Sequence, residues 1–373
     1  MGLNASALPD FPWDSLTPFV ERAAAYPGGA INLSVGTPVD PTPSVIRDAL
    51  VAAADAPGYP ATHGTPELRG AVVDWFARRR GVTDVDPASV LPTVGSKELV
   101  GLLPSLLGLG AGDVVVHPAV AYPTYDVGAR LAGAMPLAAE AVADWEANPA
   151  VKLVWVNSPS NPTGAVAGVD ELREIVEAAR AIGAVVASDE CYAELAWEEP
   201  WSREGVPSIL DSRVCGGSHD GLLAVYSLSK QSNLAGYRAA FVAGDKAIVA
   251  RLLEVRKHIG MIVPAPVQAA MVAALGDEAH VATQRAVYGA RRERLSRALV
   301  AAGFSIDDSV AGLYLWATRG EDAWESVAWL ADRGIVVAPG SFYGPSGARH
   351  VRVALTASDE HIGAASLRLV NEP

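Results

Sequence analysis

Short, almost wholly apolar runs alternate through the middle of the chain with longer stretches whose apolar positions recur every three to four residues. Residues 114–117, 152–156, 184–188, 222–226 and 239–243 read as strands. Residues 66–80, 97–107, 169–182 and 246–258 read as helices. Strands that are apolar on both faces belong in a mostly parallel sheet with helices packed on each side. The pattern therefore predicts an α/β fold, and such sheets bind ligands beyond the carboxyl ends of their strands.

The last third changes character. A long helical pattern covers about 277–302, followed by a strand at 312–317, a helix at 322–333 and strands near 335–338 and 350–355. This predicts a large domain over 43–276 and a smaller α+β domain built from 1–42 and 277–373.

Half of the 373 residues are hydrophobic and 19% are charged, which suits a large buried core rather than disorder. The formal net charge of -13 argues against nucleic acid as a partner, because a phosphate backbone demands clustered Lys and Arg. Small anionic substrates stay open, since one or two local cations read them. The two cysteines, Cys191 and Cys215, are too few for a disulfide framework or a multi-thiolate metal site. No metal is expected, and a reducing cytoplasm is the simplest compartment. Residues 1–13 carry Pro and Asp where a secretory signal has a basic start and an apolar run. No uncharged apolar stretch is long enough to predict a membrane span.

The chain holds only five lysines, so an enzyme forming a Schiff base must use Lys97, Lys152, Lys230, Lys246 or Lys257. Lys152 opens a strand, and Lys246 and Lys257 lie on a helix as solvent-facing stems. Lys97 and Lys230 remain. Lys230 ends Ser227-Leu228-Ser229-Lys230, directly after a strand, and Arg238 follows beyond Gly236. Hydroxyls and a guanidinium beside an amine make a phosphate cradle next to a nucleophile, because the Arg fork meets phosphate bidentately. A plain polar loop is the bland alternative.

Three further segments carry chemistry. Asp189 ends the strand at 184–188 and precedes Tyr192. A carboxylate there can pair with a pyridinium nitrogen and keep the ring an electron sink, and a capping Asp is the bland alternative. Asn157-Ser158-Pro159-Ser160-Asn161-Pro162-Thr163-Gly164 makes a rigid loop in which an Asn-Pro bond is a candidate for the cis form. Gly95-Ser96-Lys97-Glu98 opens a helix, whose free N–H groups can bind phosphate or simply be capped by the serine.

Taken in order, Asn161-Pro162-Thr163-Gly164, Asp189-x-x-Tyr192, Ser227-x-Ser229-Lys230 with Arg238, and Arg352 resemble the class I/II aminotransferases, fold-type I enzymes that use pyridoxal 5′-phosphate (PLP). The resemblance spans essentially the whole chain. It implies a mostly parallel seven-stranded sheet between helices in the large domain, with PLP carried on Lys230 as a Schiff base. In that family pattern Lys230 also shuttles the Cα proton, and Asp189 pairs with the pyridine nitrogen. Tyr192 and Asn161 meet the phenolic oxygen. Ser227, Arg238 and the backbone of Ser96–Lys97 hold the phosphate, with Ser229 a further contributor. Tyr122, rather than Tyr125, resembles the aromatic stacked on the ring. Tyr59 resembles the tyrosine that reaches the phosphate of a neighbouring subunit, which implies a homodimer. Arg352 resembles the clamp on the substrate α-carboxylate, with Asn161 and the Gly36 backbone beside it.

Four segments, at 8–14, 32–41, 263–271 and 311–318, are similar to the actinobacterial N-succinyldiaminopimelate aminotransferases. That implies exchange of an amino group between glutamate and N-succinyl-2-amino-6-oxopimelate, in diaminopimelate and lysine biosynthesis. The succinylated substrate carries an extra carboxylate, for which His63, Lys97, Lys257, His258 and Arg22 are the candidate cations. Rival readings keep the same cofactor residues: an aspartate- or alanine-type aminotransferase, or a PLP C–S lyase. A PLP-sensing regulatory domain needs a basic DNA-binding segment, which the acidic chain lacks. A dinucleotide-binding dehydrogenase needs a Gly-x-Gly-x-x-Gly run after an early strand, also missing.

Overall fold

The computed structural model describes residues 8–371, so the ends of the expected small-domain segments, 1–7 and 372–373, lie outside the described residues. A two-residue strand, β1 (Ile31–Asn32), precedes seven that form one sheet. These are β2 (Val90–Val94), β3 (Val114–Pro118), β4 (Met135–Ala139), β5 (Val151–Asn157), β6 (Val185–Asp189), β7 (Leu222–Ser227) and β8 (Ala239–Gly244). Their order across the sheet is β2-β8-β7-β6-β5-β3-β4. β8 runs antiparallel to β2 and β7, and the remaining neighbours are parallel. The sheet is thus mostly parallel, as the apolar runs predict.

Side-chain alternation sends each strand into two cores. Leu222, Ala224 and Tyr226 of β7 join one apolar cluster, while Leu223 and Val225 join another. The five expected strands appear within one residue at each end. β2 and β4 are additions. Both contain a proline, Pro92 and Pro136, and both lie at the sheet's edges, where a missing N–H breaks no central ladder.

The second half adds β9 (Ser305–Asp307), β10 (Tyr314–Thr318), β11 (Ile335–Val336), β12 (Ala338–Pro339) and β13 (Val351–Ala354). Four of these form an antiparallel sheet in the order β12-β13-β10-β9, while β1 pairs in parallel with β11. Asp245, Asp277, Asp322 and Ser358 cap the helices that follow them by accepting from their first N–H groups. The helix expected at 66–80 is α-helical only over Pro66–Trp75. It then widens into a π turn, Phe76–Arg80, which ends at Gly81 with φ 66°. That turn brings Arg80 inward to a buried pair with Glu190 at 2.9 Å. Among the described residues, no helix is long and apolar enough to cross a membrane.

One ion pair anchors the N-terminal segment over the rest. Arg291, on the long helix Glu278–Ala301, holds Asp40 bidentately at 2.6 and 2.8 Å, and Gln284 donates to the same carboxylate at 2.9 Å. Partial burial would raise the Asp40 pKa, but the bonds from Arg291 and Gln284 outweigh it and hold it below the usual carboxylate value. A depressed folded-state pKa contributes stability above the unfolded value and loses it as pH falls through the folded one. Asp40→Asn should therefore destabilise the protein by about 1–3 kcal/mol at neutral pH. The difference from wild type should shrink as pH drops below about 4, as read by urea unfolding across a pH series.

Candidate active site

The carboxyl ends of β5, β6 and β7 lie side by side, with Asn157 in register with Asp189, and Asp189 with Val225. A cavity of about 560 Å³ opens beside them. Of the residues singled out in the sequence, Gly36, Ser96, Lys97, Tyr122, Asn161, Asp189, Tyr192, Ser227, Ser229, Lys230, Arg238 and Arg352 all line it. Tyr59 does not; it is fully exposed.

The lysines sort themselves by partner. Lys152 bonds the Pro149 carbonyl, Lys246 pairs with Asp86 and Lys257 with Glu254. Lys97 and Lys230 line the cavity. Lys230 sits on the single turn Leu228–Gln231, whose N-cap Ser227 accepts from the Ser229 N–H at 3.2 Å and donates to its hydroxyl at 2.8 Å. The Lys230 ammonium donates to the Gly36 carbonyl, tying the end of β7 to the N-terminal segment. A side chain at Gly36 has no room, since a Cβ there would stand 2.2 Å from the Tyr314 hydroxyl.

Asp189 is buried and has no ion-pair partner among the described residues. One oxygen accepts from the Tyr125 hydroxyl at 2.9 Å, the other from the Cys191 N–H at 3.3 Å. Burial pushes its carboxyl above the usual range, and the bonds from Cys191 and Tyr125 offset only part of that. A cation placed beside it would restore the charged form. Tyr122 forms the cavity wall, whereas Tyr125 lies behind, stacked on Trp155 with ring centroids 5.0 Å apart.

Arg352, in β13, is the mirror case. Its guanidinium is 3% exposed, donates to Asn161 Oδ1 at 2.8 Å and the Ser34 carbonyl at 2.6 Å, and lies 3.9 Å from the Tyr314 ring centre. Its Nε is buried with no hydrogen-bond partner, and no carboxylate pairs with it among the described residues. A buried cation held only by neutral dipoles and aromatic faces suits an incoming carboxylate. Asn161 is fixed in turn by Asn157, whose Oδ1 accepts its N–H at 2.7 Å and whose amide donates to the Asp189 carbonyl at 3.0 Å. The Ser158–Pro159 and Asn161–Pro162 bonds are both cis. The Tyr192 and Tyr314 hydroxyls stand 3.4 Å apart. Burial lifts the Tyr192 pKa. At Tyr314 the positive charges of Arg352 and Lys230 outweigh burial and hold the pKa below the usual tyrosine value.

A third corner is lined with donors. Ser96 opens the helix Ser96–Leu106, and Arg238 takes a left-handed φ of 56°. The Gly95 N–H donates to the Arg238 carbonyl at 2.8 Å, and a Cβ on Gly95 (φ 76°) would lie 2.0 Å from the Arg238 guanidinium. Glycine there lets the guanidinium, the helix start, Ser227 and Ser229 face one corner, which suits a phosphate. The unpaired Asp189, the open Arg352 Nε and this Gly-lined corner fit PLP with a carboxylate substrate. Sequence reasoning assigned no role to Tyr314 or Trp13, which read as core aromatics, and weighed Tyr125 only as the alternative to Tyr122 for stacking on the ring.

The sequence pattern of the family Aminotransferase class I and II matches residues 29–366. The chain is 60% identical over 362 residues to the 4-dedimethylamino-4-oxo-anhydrotetracycline transaminase OxyQ of Streptomyces rimosus, covering 97% of this chain and 99% of that one. It is 60% identical over 370 residues to the probable aminotransferase Rv1178 of Mycobacterium tuberculosis, covering 99% and 86%. The N-succinyldiaminopimelate aminotransferase structure from Mycobacterium tuberculosis superposes with a TM-score of 0.86 at 26% identity, covering 99% of both chains. Gly95→Ala should weaken PLP binding about tenfold or more, roughly 1.4 kcal/mol. Titration of the apoprotein with PLP by visible absorbance checks this, with circular dichroism confirming an intact fold.

Proposed function

This chain belongs to the class I and II aminotransferases, a PLP-dependent family, and we propose that it exchanges an amino group between glutamate and N-succinyl-2-amino-6-oxopimelate. PLP, when bound, supplies the electron sink that accepts the charge left as a Cα proton departs. The chain's own residues do the rest. Lys230 holds the cofactor and moves the proton, because it is one of two lysines in the cavity and the one that follows β7, the strand paired with the β6 strand that ends at Asp189. Asp189 supplies the anion that a ring nitrogen needs. Tyr192 and Asn161 donate to the ring oxygen, and Ser96, Ser227, Ser229 and Arg238 hold the phosphate. Arg352 orients the substrate α-carboxylate against Asn161 and the Gly36 segment.

The observation that carries the dicarboxylate reading is the placement of Lys97. Of the five cations weighed for a distal acid, it alone lines the cavity. Arg22 pairs with Asp332, Lys257 with Glu254, and His63 contacts Arg69. Lys97 and Arg352 in one cavity suit a substrate with an acid at each end, which describes both glutamate and the succinylated keto acid. Likeness to the N-succinyldiaminopimelate aminotransferase structure supports the same choice. A second reading rests on the Streptomyces relative, whose name specifies a polycyclic ketone as its substrate.

Turnover with glutamate should favour N-succinyl-2-amino-6-oxopimelate over oxaloacetate, pyruvate and the unsuccinylated keto acid. Equal or better rates with a short keto acid, or pyruvate release from a cysteine conjugate, would replace this reading with one of its rivals. The exposed Tyr59 is proposed to reach the cofactor phosphate of a second copy of the chain in a homodimer. Mixing inactive Tyr59→Ala and Lys230→Ala proteins should then restore up to about a quarter of wild-type activity, since random exchange leaves half the dimers hybrid, each with one intact site. No recovery after subunit exchange verified by mass spectrometry counts against a shared site.

A further inference from the structure

Directly after the lysine turn runs a buried chain of polar groups that lies outside the cavity. Ser232 closes the turn Leu228–Gln231, its N–H donating to the Leu228 carbonyl at 3.2 Å. His280 Nε2 lies 2.8 Å from the Ser232 hydroxyl oxygen, and His280 Nδ1 lies 2.8 Å from Asp277 Oδ2. A carboxylate only accepts, so Nδ1 carries a proton. The Gln231 amide already donates to the Ser232 oxygen at 3.2 Å, which turns the serine's own proton toward His280 Nε2. By distance alone, serine, histidine and aspartate stand as in a hydrolytic triad. Ser232 is fully buried, however, and no acyl group can reach its oxygen.

What the chain does is join the turn that carries Lys230 to the start of the long helix Glu278–Ala301. Asp277 is that helix's N-cap and accepts the His280 N–H at 3.1 Å. Asn233, the next residue after Ser232, is held by the same helix: its amide donates to Gln284 Oε1 at 2.8 Å, and its Oδ1 accepts from the Tyr288 hydroxyl at 3.3 Å. A single helical turn is marginal without outside support, because its nucleus is costly to form. A misplacement of about 1 Å at a reacting atom can cost a hundredfold in rate. We propose that Asp277, His280 and Ser232 are positioning residues for Lys230. The buried chain fixes the far end of its turn, and with it the place from which the amine meets the cofactor aldehyde. Hydrogen bonds are directional, so the chain sets the orientation of the turn as well as its burial. The inference rests on the reading of Lys230 as the lysine that bonds PLP, and adds to it three residues that do not line the cavity.

The test uses two ligands. Pyridoxamine 5′-phosphate carries an amine in place of the aldehyde, so it fills the phosphate corner without bonding a lysine. Calorimetry gives the affinity of the full-length apoprotein for it and for PLP. Wild type should favour PLP, and Lys230→Ala should remove that preference. Ser232→Ala ends the chain at the serine, while His280→Asn keeps an amide N–H for Asp277 and stops short of Ser232. Each should cut the preference for PLP about tenfold and leave the affinity for pyridoxamine 5′-phosphate nearly unchanged. The double variant should lose no more than either single one, because both break one bond. The ratio of the two affinities cancels any general loss of folded protein. Both affinities falling together with the ratio unchanged makes the chain merely structural and overturns the proposal, as do additive losses in the double variant. A preference for PLP that is missing in wild type, or that survives in Lys230→Ala, removes the Lys230 reading itself, and this inference with it, whatever Ser232→Ala and His280→Asn show.

Discussion

Arg352 stands inside the protein as a full positive charge with no negative partner among the described residues. Desolvating such an ion costs several kcal/mol, and hydrogen bonds to a charged group return only about 1.5–3 kcal/mol each. The surroundings are arranged around that deficit. Asn161 Oδ1, the Ser34 carbonyl and the faces of Tyr314 and Tyr343 each offset part of it. Those partners come from four separate stretches of chain, so the guanidinium can be housed only when the small sheet, the N-terminal segment and the loop after β5 are all in place. The corner that houses Arg352 and the junction of the two sheets are therefore the same structure.

Asp189 presents the complementary deficit at the other side of the cavity. Its charge is disfavoured by burial and only partly restored by Tyr125 and Cys191. An unpaired cation and an unpaired anion would neutralise each other if they met. The cavity keeps them apart, Asp189 on the rigid central sheet and Arg352 on the small one, with Asn157 and Asn161 bridging between. A ligand that is cationic on one ring atom and anionic at its carboxylate satisfies both at once. Lys230 adds a constraint of its own. Its ammonium donates to the Gly36 carbonyl, so an aldehyde bonded at that nitrogen would have to displace the N-terminal segment's contact.

Much of this frame was legible from periodicity. The five central strands are continuous apolar runs, which only a sheet covered on both faces produces, and their polar successors fall at the carboxyl ends where the cavity opens. β2 and β4 were not legible, because Pro92 and Pro136 erase the strand signal at the positions where an edge tolerates them. The π turn over Phe76–Arg80 was hidden for a different reason: it accompanies a buried pair between Arg80 and Glu190, a partner more than a hundred residues away that no local pattern shows. Among the site residues, Lys230 stood out by elimination of other lysines and Asn161 by its rigid loop, whereas Asp189 and Arg352 were drawn out by the resemblance to the family pattern. The bond from Tyr125 to Asp189 and the place of Tyr314 were not legible, because a buried tyrosine declares itself only through the partner of its hydroxyl.

The same limit explains why the cofactor end reads so clearly and the substrate end does not. Holding a phosphate, a ring nitrogen and an α-carboxylate demands particular charges at the ends of particular strands, and charges in such places are conspicuous. Discriminating the far end of a substrate needs only the shape of an apolar wall and one or two donors within it. One aromatic wall beside the cavity is assembled from Phe11 and Trp13 near the start of the described chain, Tyr122 in the middle, and Phe342 and Tyr343 near the end. None of these carries a charge, and each taken singly has the character of a core residue. Only folding brings them together, leaving the Trp13 N–H and the Tyr343 hydroxyl facing no acceptor of their own. Which aromatic side chains meet and which of their hydrogen bonds go uncompleted are settled only in the fold, and no local reading of a sequence contains them.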